Sequence, residues 1–157
     1  MTINLTKGGF IDAIVSMVVK DFLPLSYFSS SSGVQAIVGP IARKLMVSLD
    51  KDSVRGMMIA RAQKMEQEIV LAMRNKPVFL KMDGTTWRGH SYLAINVQFI
   101  LNDKPTIRTL AVMDCAGKHK AMATAEMVKS TMARYGLTKK QVFAMVTDNA
   151  SVMVKSL

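Results

Sequence analysis

The chain has 157 residues, half of them apolar, which suits one domain, or a small domain with a helical extension, and argues against disorder. A single cysteine, Cys115, excludes an internal disulfide framework and fits a reducing compartment. The longest apolar window, Phe10 to Val19, contains Asp12 and is about half a membrane span, so no membrane partner is expected.

The formal net charge is +10, and it is unevenly placed. Residues 1–50 carry four basic and three acidic side chains, whereas residues 51–157 carry seventeen and eight. A polyanion is the natural partner for such a field, although a merely solvated basic surface gives the same count. The fourteen methionines read as adaptable core and helix residues rather than as a thioether metal site.

In chain order, Phe10, Ile11, Ile14, Val15 and Val18 follow helical spacing, with Gly8-Gly9 before and Pro24 after. The serine run Ser29 to Ser32 reads as a loop or a serine-capped helix start. Val34 to Leu45 looks helical, with a break or kink expected at Gly39-Pro40. The clearest helix runs from about Asp52 to Asn75, capped by Asp50 or Asp52 and ended by Pro77.

After Pro77 the period changes. Val78 to Met82 predicts a buried strand with Asp83 at its tip and a turn at Gly84-Thr85-Thr86. Tyr92 to Ile100 alternates apolar and polar residues, as a half-buried antiparallel strand does. Asn102 to Pro105 makes the next turn, and Thr106 to Met113 a third strand. Ala121 to Tyr135 is helical and stops at Gly136, and Val142 to Thr147 is a fourth strand closed by Asp148. Cys115 reads as a small core residue at a strand end.

The expected fold is therefore α/β. A helical segment over 1–76 precedes a domain over 77–157 made of an antiparallel three-strand meander, a crossover helix and a fourth strand. A helix of that length can return the fourth strand parallel to the first. If the two are neighbours, Asp83 and Asp148 lie at adjacent strand ends, where open sheets hold ligands. Paired carboxylates there suit Mg²⁺ or Mn²⁺, which relieve their repulsion through hard oxygen ligation. The competing explanation is local: Asp83 before Gly84 as an Asx turn, and Asp148-Asn149-Ala150-Ser151 as a turn or helix N-cap.

Several segments, taken together, resemble a known family. They are Lys81-Met82-Asp83-Gly84-Thr85-Thr86-Trp87, Tyr92 to Val97, Arg108 to Val112, His119, Tyr135-Gly136-Leu137 and Val146 to Lys155, with Asp148-Asn149-Ala150-Ser151 at the centre of the last. In order and spacing they look like the opening of the catalytic domain of an hAT (hobo/Activator) family transposase. Pro24-Leu25-Ser26-Tyr27-Phe28 resembles the region before that domain.

The resemblance implies a partial RNase H-like fold with a split Asp-Asp-Glu site. Asp83 would be the first metal-binding Asp and Asp148 the second, each a catalytic and metal residue binding Mg²⁺ or Mn²⁺. The family's third acid, a Glu beyond a large helical insertion, has no counterpart before Leu157, nor do its zinc-binding BED finger and its dimerisation region. The implied protein is nuclear, has DNA as its partner, and forms a homo-oligomer only through those missing regions. The chain then reads as a fragment or domesticated remnant whose intact parent cleaves DNA and transfers strands, and which is inactive alone. Trp87 follows Asp83 after three intervening residues, where many members have one, and Val152 stands where an Asn is usual.

Trp87, Arg88 and Lys155 are candidate nucleic-acid contacts by stacking and charge, set against a packed Trp with solvated basic neighbours. The alternative function is a non-catalytic nucleic-acid- or protein-binding module derived from a transposase. An unrelated nucleotide-binding α/β domain would want a glycine-rich first turn and a mostly parallel sheet, neither of which is read here.

Overall fold

The computed structural model describes residues 5–115 and 121–147. The chain divides into two compact units, Met1–Met65 and Glu66–Leu157.

The first unit is helical: α1 (Lys7–Lys20), α2 (Tyr27–Ser30), α3 (Ser32–Lys44) and the start of α4 (Lys51–Met73). The Thr6 side chain accepts from the Gly9 amide at 3.1 Å, so α1 starts earlier than its apolar period and takes in both glycines. Ser31 caps α3 in the same way, through the amide of Val34. The expected break at Gly39-Pro40 does not occur: α3 runs through Pro40. The residue before a proline normally resists helical geometry because its Cβ meets the ring, and Gly39 has none. Phe10, Ile14, Phe28, Ala42, Leu49 and Val54 close this unit's core.

Asp50 is the N-cap of α4. Its Oδ1 accepts from the amides of Asp52 at 3.0 Å and Ser53 at 2.9 Å, and its Oδ2 accepts from the hydroxyls of Ser53 and Ser48. These donors hold its carboxyl well below the usual carboxylate range, the Ser48 hydroxyl first and Ser53 next.

The second unit holds the end of α4, an open sheet and α5 (Ala121–Arg134). The strands are β1 (Val78–Trp87), β2 (His90–Leu101), β3 (Lys104–Asp114) and β4 (Val142–Val146), in the order β3-β2-β1-β4. The first three form the expected antiparallel meander, and β4 lies parallel to β1. The fold is thus α/β with a mixed sheet, as the run of periods implied.

Two details depart from expectation. β1 does not end at Met82 but continues to Trp87, pairing Asp83 with Ala94, Gly84 with Leu93 and Thr85 with Tyr92. The turn is Arg88-Gly89, whose φ angles of 50° and 80° are the left-handed pair of a tight two-residue hairpin. The β-branched pair Thr85-Thr86 and then Trp87 prefer the extended chain, so the Asp-Gly signal is overridden by longer pairing. Asn102-Asp103, with φ of 51° and 60°, makes the second hairpin the same way.

One face of the sheet carries the core. Val78, Leu80 and Met82 of β1 and Leu93, Ile95, Val97 and Phe99 of β2 are buried there with Met73 of α4 and Val128 and Met132 of α5. The buried Tyr135 hydroxyl donates to the Leu110 carbonyl at 3.0 Å, tying the end of α5 to β3. Gln141 sets the two parallel strands side by side. Its carbonyl accepts from the Val78 amide at 2.9 Å, and its side-chain amide donates to the carbonyls of Met73 and Lys76. Arg134 adds a bidentate pair with Glu66, at 2.8 and 2.6 Å, which lowers the Glu66 carboxyl's pKa.

Candidate functional site

The second face of the sheet contains the candidate residues. Along β1 the alternation puts Phe79, Lys81, Asp83, Thr85 and Trp87 on this face, opposite the buried Val78, Leu80 and Met82. Asp83 is exposed, so its carboxylate is accessible to a cation in solvent. Its position in an internal strand, hydrogen-bonded on both sides of the sheet order, makes it a rigid platform rather than a loop ligand. The Asx-turn explanation of Asp83 does not hold, since Asp83-Gly84 is mid-strand.

The parallel pair gives the second half of the geometry. Phe79 lies opposite Ala144, Leu80 opposite Met145, and Lys81 opposite Val146. Asp83 is two residues beyond Lys81, and in sequence Asp148 is two residues beyond Val146. Asp148 itself lies outside the described residues, as do Lys155 and His119. Among the described residues no group of three or more His, Cys, Asp or Glu side chains is arranged to hold a metal ion. The donor type nevertheless fits: an accessible carboxylate oxygen on a fixed backbone is the hard ligand that Mg²⁺ and Mn²⁺ select.

Asp114, at the end of β3, is not a neighbour of Asp83. Two strand spacings, about 10 Å, separate β1 from β3 across β2. Asp114 instead meets His90, Nδ1 to Oδ2 at 3.1 Å. The sequence offers no local sign of this pair. It follows from the β2–β3 register, which sets Tyr92 opposite Asp114 and so leaves His90 two residues further along the same face. Similarly, Thr109 donates to the Asn96 side chain at 2.8 Å between those strands.

Trp87 and Arg88 stand at the tip of the first hairpin. Trp87 is 59% exposed, and the Arg88 guanidinium lies over its ring at 4.5 Å from the centroid. Four residues of strand, about 13 Å, separate Trp87 from Asp83. The ring is therefore not packed into the core, and the pair presents an aromatic plane and a cation to solvent.

Cys115 is half-buried just past β3 and packs against the core. Burial pushes its thiol pKa up, and the nearby Asp114 adds in the same direction, so it is an inert thiol rather than a nucleophile.

The fold and site together define an α/β chain with a mixed four-strand sheet, one face covered by helices and the other bearing an exposed aspartate beside a parallel strand pair. No known family's model matches the sequence, and no curated protein matches it either. Among the described residues no helix is long and apolar enough to cross a membrane.

Proposed function

We propose that the chain is the first part of the RNase H-like catalytic domain of an hAT-type DNA transposase, together with the helical segment before it. Asp83 and Asp148 would supply two of the three acids that hold Mg²⁺ or Mn²⁺, and the metal would activate water or a 3′-hydroxyl for DNA cleavage and strand transfer. On this reading residues 1–157 alone do not cleave DNA, because the third acid has no counterpart among them.

The observation that carries the reading is the pairing of β1 with β4. Parallel neighbours joined through a crossover helix are what a split carboxylate site requires, and the Lys81–Val146 register gives both aspartates the same two-residue offset in sequence. A nuclear location and DNA as partner belong to the same proposal, supported by the +10 charge and the motif order.

The test is calorimetric titration of the 157-residue chain with Mn²⁺. Binding that is lost in both Asp83→Asn and Asp148→Asn, with the fold intact by circular dichroism, is the expected result. Binding unchanged in either variant overturns the two-carboxylate site.

A second reading, a non-catalytic nucleic-acid-binding module, is favoured by one observation, the exposed Trp87–Arg88 stack at the hairpin tip. It needs no metal, and DNA binding that persists in the double variant Asp83→Asn, Asp148→Asn would support it.

A further inference from the structure

The two edges of the sheet are built differently. β3, at one edge, is defended against further pairing: it starts with Lys104 and Pro105, carries Arg108, and ends at Asp114. β4, at the other, reads Val142-Phe143-Ala144-Met145-Val146, without a charge or a proline. Its one irregularity is a bulge at its entry, where Val78 pairs with Val142 and Phe79 with Ala144, so that Phe143 is the extra residue. Phe143 is 75% exposed and rests against Phe79 at 5.3 Å between ring centroids. Ala144 to Val146 then present a regular, apolar edge that no other described strand pairs.

A cavity of about 490 Å³ runs beside this edge, between β4 and α5. Val128, Met132, Val142 and Met145 form its apolar wall, and Lys129 and Lys139 stand at its margin. Lys129 meets Glu126 at 3.1 Å, whereas Lys139 has no ion pair among the described residues. An unpaired strand edge beside an apolar groove is the arrangement that accepts an added strand: main-chain hydrogen bonds give the attachment, and alternate side chains fill the groove.

We infer that β4 takes an extended segment of another polypeptide as a fifth strand, with apolar residues at alternate positions entering the groove and acidic residues meeting Lys139 and Lys129. Charge selects this occupant. A second copy would bring another +10 against the first. The stretch 149–157 of this chain holds Lys155 and no acid, so it offers the two lysines no counter-charge. The inference does not depend on Asp83 or on metal.

The experiment uses the 157-residue chain and a fluorescently labelled short peptide of alternating Glu and Val, followed by anisotropy. Three comparisons are made: the peptide with every second amide N-methylated, its Lys-Val counterpart, and the variants Lys139→Glu and Phe143→Lys. Both altered side chains are exposed, so the fold is retained, as circular dichroism checks. The expected result is saturable binding, weakened about tenfold by N-methylation, a loss equivalent to one good hydrogen bond. Each variant should weaken binding several-fold, and the Lys-Val peptide should not bind. N-methylated and parent peptides binding alike would overturn the inference, because that is simple charge adhesion. So would an absence of binding, or a concentration-dependent dimer that Phe143→Lys dissolves, since the edge would then belong to a second copy.

Discussion

Asp50 carries more of the first unit than its exposed position suggests. Four donors from Ser48, Asp52 and Ser53 converge on one carboxylate at the start of a 23-residue helix. Its folded-state pKa lies below its unfolded value of 3.8, so its contribution is fully present above that value and fades as pH falls toward the folded one. Asp50→Ala is therefore expected to lower the urea midpoint at pH 6, with the deficit shrinking between pH 4 and pH 2. A deficit independent of pH would mean that the hydroxyl and amide partners, not the charge, make the cap.

Most of the fold was legible at the level of single residues because periods change sharply at Pro77. The buried strand residues Leu80, Leu93, Ile95 and Val97, the stop at Gly136 and the caps all follow from spacing and side-chain chemistry. The partner of His90 was not legible, because it depends on a register set by two hairpins rather than on any neighbour in sequence.

At the scale of elements, the length of β1 was the main misreading. Asp83-Gly84 is a strong local turn signal, yet a turn there would leave most of the apolar β2 run without a partner. Pairing through to Trp87–His90 keeps Met82 opposite Ile95 and Leu80 opposite Val97 on the core face. The turn that results puts Arg88 at φ 50°, a conformation that costs a side chain about 1–2 kcal/mol and that Asn tolerates better. Arg88→Asn is thus expected to raise the melting temperature, and Gly89→Ala, at φ 80°, to lower stability by about 1 kcal/mol. Chemical denaturation measures both. A neutral Gly89→Ala would mean that the hairpin tip is not held in this geometry. The unbroken α3 teaches the same point from the other side: Pro40 breaks a helix less readily when a glycine precedes it.

At the scale of the whole chain, the basic excess and the exposed Trp87–Arg88 stack point to nucleic acid, and the two contributions separate experimentally. Phosphate contacts release counterions, so the DNA association constant should fall linearly with salt on logarithmic axes. Trp87→Ala should cost about 1–3 kcal/mol for single-stranded DNA, the range for one stacked base, and leave the salt slope unchanged. Affinity that ignores salt would contradict the electrostatic account. The paired strands were foreseeable from the order of elements, but the number of acids that meet on them is not a local property of either strand. That is the reason the site, unlike the core, could be anticipated only through resemblance.

The measurement that bears most directly on the central claim is Mn²⁺-induced broadening of amide resonances in the isotope-labelled chain. If Asp83 and Asp148 share a metal, signals of residues flanking Asp83 in β1 and those at Val146 and Thr147 broaden together at low Mn²⁺. Asp83→Asn or Asp148→Asn alone should abolish both effects. Broadening centred elsewhere, such as at His90 and Asp114, or broadening around Asp83 that survives Asp148→Asn, would contradict the account.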